Sequence, residues 1–144
     1  MDLFVGIAKI DSSGNEVGFN YYSTFSQGPV ALGWLRASHR SLTEQTTETQ
    51  PVHPHCARDM LTPGQPVEVD IEIWPSSTLF RKGEKLRLTI GGSDIYMFKS
   101  GAPELRHLTD NIGMHRIHSG PRQPSYLVVP HIPPRGDVPH AGAD

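Results

Sequence analysis

Between Pro66 and Gly92 the sequence reads PVEVDIEIWPSSTLFRKGEKLRLTIGG, and its apolar residues recur at every second position. Val67, Val69, Ile71 and Ile73 alternate with Glu68, Asp70 and Glu72. After Trp74-Pro75, Leu86, Leu88 and Ile90 alternate with Lys85, Arg87 and Thr89. On an extended backbone a period of two puts every aliphatic on one side; on a helix it would scatter them around the cylinder. The stretch predicts two half-buried strands. Such a pair is not stable alone and needs a facing sheet.

The rest of the chain reads the same way. Leu3–Ile10 predicts a strand already under way near the start. Asp11–Glu16 is dense in turn formers and predicts a hairpin loop, with Gly14 or Asn15 at positive φ. Val17-Gly18-Phe19 begins the return, and Tyr21, Tyr22 and Phe25 form an aromatic stretch. Val30–Arg40 is expected to be extended, anchored by Trp34 and Leu35. Ser41–Met60 is a polar connection in which Thr43–Glu48 can form one helical turn, since Pro51 and Pro54 prevent more. Thr62–Gln65 and Arg81–Glu84 are turns, the second closed by Gly83. Ser93–Gly113 is a long loop, Met114–His118 alternates again, and Ser125–Ile132 is a last strand demoted to an edge or bulge by Pro130. From Pro133 the sequence PPRGDVPHAGAD is expected to be a mobile tail. The expected organisation is one domain over 1–132 and a tail over 133–144.

With 144 residues, 36% apolar, 14 Gly and 13 Pro, a turn-rich all-β domain fits better than a helical one. About six short strands with irregular loops point to a β-sandwich. The formal charge of −2, without basic or acidic blocks, gives no footing for nucleic acid or an anionic membrane. A single cysteine, Cys56, excludes an intramolecular disulfide. No apolar run reaches membrane-spanning length, and no signal peptide is visible, so a cytoplasmic location is expected.

Candidate chemistry is sparse. Gly91-Gly92-Ser93-Asp94-Ile95 falls short of a nucleophile elbow, because Ile95 replaces the final glycine and no amphipathic helix follows; it reads as a strand-ending turn. His53-Pro54-His55-Cys56, with Asp59 beyond, is the one cluster of metal-ligand character. A closed site needs four ligands and no second cluster supplies them. His115 and His118, three apart on a strand pattern, would face opposite sides. The expectation is no metal and no cofactor, with His53, His55 and Cys56 as the candidates against it. Glu68, Asp70 and Glu72 read as a solvated row. Trp34, Trp74, Tyr21, Tyr22 and Tyr96 could stack against a sugar ring, but core or interface packing explains such rings better.

Several separated segments closely resemble a known pattern in order. They are Gly33–Arg40 (GWLRASHR), Pro63–Ser77 (PGQPVEVDIEIWPSS), Phe80–Leu88 (FRKGEKLRL), and His115–His118 followed by Ser125–Pro130 (SYLVVP). The resemblance, spanning about Leu3 to Ile132, is to the C-terminal, non-catalytic domain of the CocE/NonD hydrolases, the group of X-Pro dipeptidyl-peptidases and cocaine esterase-like enzymes. It implies a jelly-roll β-sandwich of the galactose-binding-like type, packed in cis against an α/β-hydrolase domain.

In that family the Ser-His-Asp triad lies upstream, and no triad position has a counterpart here. The resemblance therefore implies no catalysis by this chain alone, full-length relatives being serine hydrolases with dipeptidyl-peptidase or esterase activity. The chain departs from the pattern in opening inside the jelly roll, so the family's first strands are expected to be lacking, and in Pro121, which interrupts a stretch richer in glycine in relatives. A sandwich short of strands exposes unpaired backbone and an apolar face, so self-association or dependence on an upstream region is expected. The expected role is to buttress the hydrolase domain, shape its entrance and make oligomer contacts, with Trp34, Arg36, His39, Arg40 and Trp74 as contact residues. The alternatives are a carbohydrate-binding module and, third, a metal-dependent enzyme on His53, His55 and Cys56.

Overall fold

The computed structural model describes residues 1–21, 25–96 and 107–132, with the side chains of 21, 25 and 26 left aside. Its strands are β1 (Asp2–Ile10), β2 (Glu16–Val17), β3 (Phe19–Tyr21), β4 (Phe25–Gly28), β5 (Ala31–Arg36) and β6 (Lys85–Gly91). A single 3₁₀ turn at Ala37–His39 is the only helical element among the described residues. The chain is nearly all-β and every ladder is antiparallel, as the alternation and turn content predict.

β1 is the organising strand, and all nine of its residues are buried. One edge pairs with β5, from Asp2↔Arg36 to Ile7↔Ala31, and then with β2 at Lys9↔Val17 and Ile10↔Glu16. The other edge pairs with β6, from Phe4↔Gly91 to Ile10↔Lys85. β3 and β4 make a separate two-stranded sheet. Alternation puts Leu3, Val5, Ile7 and Lys9 on one face of β1 and Asp2, Phe4, Gly6, Ala8 and Ile10 on the other. Lys9 therefore falls on the aliphatic face. Its ammonium is satisfied there by the Leu79 carbonyl and the Glu84 carboxylate, each at 2.8 Å. Leu35, Ala31 and Ala37 complete the buried core around β1.

The turns form where turn chemistry predicts. Gly14 sits at φ +92° in the Asp11–Glu16 loop, where the Asp11 carboxylate accepts from the Ser13 and Asn15 N–H groups at 2.8 Å. Thr62–Gln65 and Arg81–Glu84 are closed by 3.1 and 3.0 Å backbone bonds. Thr43–Glu48 contains a tight turn, Thr46 N–H to Thr43 C=O, and no helix.

Three expected strands are corrected. Val67–Ile73 joins no ladder. Its backbone passes close beside β5 without pairing: His53 reaches the Asp70 carbonyl, the Glu72 carbonyl lies against Gly33, and Trp74 N–H donates to the Leu32 carbonyl on the outer edge of β5. Met114–His118 and Ser125–Ile132 likewise lie outside any strand, with one isolated bridge, Gly120↔Gln123, between them. The physical reason is common to all three. A period of two says that two faces differ in polarity, but a strand also needs a neighbour to accept its backbone groups. Nor is the aliphatic row of β6 buried as expected: Leu86, Leu88 and Ile90 are 40%, 36% and 41% exposed. The tail from Pro133, with Tyr22, Phe98 and Pro103, lies outside the described residues.

Candidate functional site

The face of β1 that carries Asp2 and Phe4 is extended by Trp34 and Arg36, because the β5 register sets Phe4 beside Trp34 and Asp2 beside Arg36. The two pairs behave differently. Arg36 Nε donates to Asp2 Oδ1 at 2.6 Å, and its other end reaches Asp110 at 3.0 Å. Burial alone would raise the Asp2 carboxyl. The Arg36 hydrogen bond, the Asp110 backbone N–H and the guanidinium charge outweigh it and hold Asp2 below the ordinary carboxylate range. Asn111 bonds the N–H and C=O of Asp2, at 2.7 and 2.9 Å, and the carbonyl of Gly92. The loop around Asp110 is thereby tied to the ends of β1 and β6.

Beside this ionic knot lies an aromatic patch. The Trp34 ring is 5.3 Å from Trp74 and 5.0 Å from His107, and His107 is 5.6 Å from Phe4. His107 is held by Asp94, with Nδ1 at 2.7 Å from Oδ1 and its backbone N–H on Oδ2 at 2.8 Å. A small hollow of about 140 Å³ opens between Arg36, Trp34, Phe4 and His107. Trp34 and Trp74 remain 43% and 40% exposed. Tilted, half-exposed aromatic rings framed by charges are the surface composition that interfaces favour.

The five expected contact residues fall into two groups. Trp34, Arg36 and Trp74 share the patch just described. His39 ends the 3₁₀ turn, Arg40 follows it, and both belong to another cluster. Arg40 donates to the Ala37 and Asp59 carbonyls at 3.1 and 2.6 Å and pairs with the Asp59 carboxylate. His39 lies 5.5 Å from His55, ring to ring. Both arginines are thus engaged within the chain, while the two tryptophans leave part of their apolar surface open. Asp2, His107, Asp94 and Asp110 complete the site without having been picked out from sequence. The available signal was Asp2 itself, an acid inside a buried apolar run.

His53 and His55 lie 5.9 Å apart ring to ring, but with Cys56 they are not grouped as metal ligands. His53 places Nδ1 3.1 Å from the Ser41 carbonyl and Nε2 2.9 Å from the Asp70 carbonyl, so both ring nitrogens are engaged by backbone. His55 stands at φ +50° and Cys56 is exposed. Among the described residues no three His, Cys, Asp or Glu side chains are grouped to hold a metal ion. The Gly91–Asp94 segment ends β6 in a bend, as expected of a strand-ending turn, and Asp94 is taken by His107. No helix of the described residues is long and apolar enough to cross a membrane.

Residues 1–128 match the family described as the X-Pro dipeptidyl-peptidase C-terminal non-catalytic domain. The chain belongs to that family. This X-Pro dipeptidyl-peptidase C-terminal domain is also similar to two crystal structures of a CocE/NonD family hydrolase from Staphylococcus aureus, each at 46% identity with a TM-score of 0.65. The match covers 67% of this chain but only 18% and 17% of the solved chains. The chain therefore spans less than a fifth of that hydrolase. A comparison with curated proteins finds no match. The fold class is that of the family's β-sandwich, and the chain is a non-catalytic C-terminal domain of the CocE/NonD hydrolase group.

Proposed function

We propose that this domain buttresses an α/β-hydrolase domain through the Trp34–Trp74–His107 patch, wound as a jelly roll over residues 1–132. It helps shape the entrance to a catalytic pocket that the partner supplies, the full enzyme cleaving a peptide, ester or amide bond. Trp34, Arg36 and Trp74 form the centre of the contact, and His39 and Arg40 its rim. The observation that carries this reading is the patch itself: two tryptophans about two-fifths exposed, held at fixed tilt by Phe4 and His107 and bounded by the Asp2–Arg36–Asp110 knot. The test is a chimera in which this domain replaces the matching segment of the Staphylococcus aureus hydrolase. Trp34→Ala with Trp74→Ala should lower its thermal midpoint and its hydrolysis of an activated ester. Unchanged stability and activity would remove the proposal.

A second reading, a carbohydrate-binding module, draws on a groove of about 340 Å³ where Trp74 meets Phe19, Asn20, Ser76, Ser77 and Thr78. An aromatic floor with hydroxyl walls suits a sugar ring. Titration with a glycan panel separates the readings, since a buttress shows no saturable binding.

A further inference from the structure

His53 stands between two segments of the chain, the start of the polar connection after β5 and the stretch Val67–Ile73. Its Nδ1 lies 3.1 Å from the Ser41 carbonyl oxygen and its Nε2 lies 2.9 Å from the Asp70 carbonyl oxygen. A carbonyl oxygen can only accept, so each bond needs a proton on the ring nitrogen that makes it. A neutral imidazole carries one N–H and presents a lone pair at its other nitrogen. With a neutral ring, one of the two carbonyls would face that lone pair. Only the imidazolium donates to both at once, and hydrogen bonds from a charged donor are the stronger kind. The titratable and charged groups on the surrounding elements act in both directions. The His55 ring is 5.9 Å away, His39 is 5.5 Å from His55, and Arg40 pairs with Asp59. A further cation on His55 would oppose one on His53, whereas the carboxylates of Glu68, Asp70 and Glu72 favour it by sign.

We propose that His53 is a pH-operated clasp, closed as an imidazolium across the Ser41 and Asp70 carbonyls and half released as a neutral imidazole. The device needs only the ordinary titration of histidine, which falls between about pH 5 and pH 8. Below that window both bonds are made, and above it one remains. What the clasp governs follows from chain order. Asp70 precedes Glu72, whose carbonyl lies against Gly33, and Trp74, whose N–H donates to the Leu32 carbonyl at 3.0 Å. The other end of the clasp is firm. Ser41 follows Arg40, which donates to the Ala37 and Asp59 carbonyls at 3.1 and 2.6 Å. His53 therefore ties the approach to Trp74 to the end of β5, and deprotonation loosens that tie. The inference stands apart from the buttress reading, because both states concern bonds inside this chain.

The test uses the whole chain with nitrogen-15 in its histidine rings, the His53 ring being assigned through its own backbone. At about pH 5 both ring N–H protons of His53 should be slowed against exchange with water, and at about pH 8 one of them should be gone. Hydrogen exchange at the Trp74 amide, corrected for intrinsic rate and taken relative to the Ile7 amide in β1, gives the second readout. Its protection should fall about threefold or more between those pH values. In His53→Gln it should stay flat, because the amide does not titrate, whereas His55→Gln and His39→Gln should keep the fall. Fast exchange of either His53 ring proton at about pH 5 overturns the inference, a result that needs no variant to fold. So does Trp74 protection that is flat in the unsubstituted chain, a fall that survives His53→Gln, or one that vanishes in His55→Gln.

Discussion

Arg36 stands directly opposite Asp2 in the β1–β5 ladder and donates to its carboxylate across 2.6 Å. Through Asp2 the guanidinium also secures the loop at Asp110 and Asn111, which binds β1 and the end of β6 at one point. An acid in a buried run is tolerated because three donors converge on it.

Asp2→Asn should therefore destabilise the fold by about 1 kcal/mol near neutrality, the open side of Arg36 limiting the effect. Because the folded carboxyl lies below its ordinary value, its contribution is complete above about pH 3.9 and is lost as pH falls below that. Urea unfolding at several pH values checks this: the acid decline in stability should be shallower in the variant.

The β1 neighbourhood and the β6 row should respond differently to truncation. Leu35 is 4% exposed and Leu88 is 36% exposed. Leu35→Ala should cost about 2–5 kcal/mol. Leu88→Ala should cost less than half of that, as measured by thermal unfolding.

Gly33 is required by what passes beside it. A Cβ at that position would meet the carbonyl oxygen of Glu72, which is backbone and cannot swing aside. Gly33→Ala should cost about 1–3 kcal/mol and loosen the Trp74 N–H bond to Leu32. Faster hydrogen exchange at the Trp74 amide, with little change at the Ile7 amide, is the expected signature.

Tyr96 should titrate late. Burial and then its 2.5 Å hydrogen bond to Glu16 push the phenol up to about 12. A folded value above the ordinary 10 means that the contribution is complete below pH 10 and is lost as pH rises towards 12. In a spectrophotometric alkaline titration Glu16→Gln should bring this tyrosine down towards 10 without fully reaching it, since burial remains.

How much was legible can be judged strand by strand. Leu3–Ile10, the Asp11–Glu16 loop and Leu86–Ile90 follow from short-range rules, because turn residues and a period of two act within a few positions. The Asp2–Arg36 pair is not visible that way, since it depends on which residues face each other across a ladder. Val67–Ile73 shows the opposite failure. Its alternation is as regular as that of Leu86–Ile90, yet only the latter has β1 beside it. The aromatic patch was half visible: Trp34 and Trp74 stand out by type, whereas His107 joins them through a fold-back that no local signal announces.

β1 is clasped on one side by a strand about 30 residues away and on the other by one about 80 residues away. At about 5–20 residues per second of synthesis, β6 leaves the ribosome roughly 4–15 seconds after β1. During that interval the most apolar strand of the protein has one flank bare. Such a nascent chain is a natural client for a chaperone that shields extended segments, and slowing translation between Ser41 and Phe80 should lower the yield of properly folded product.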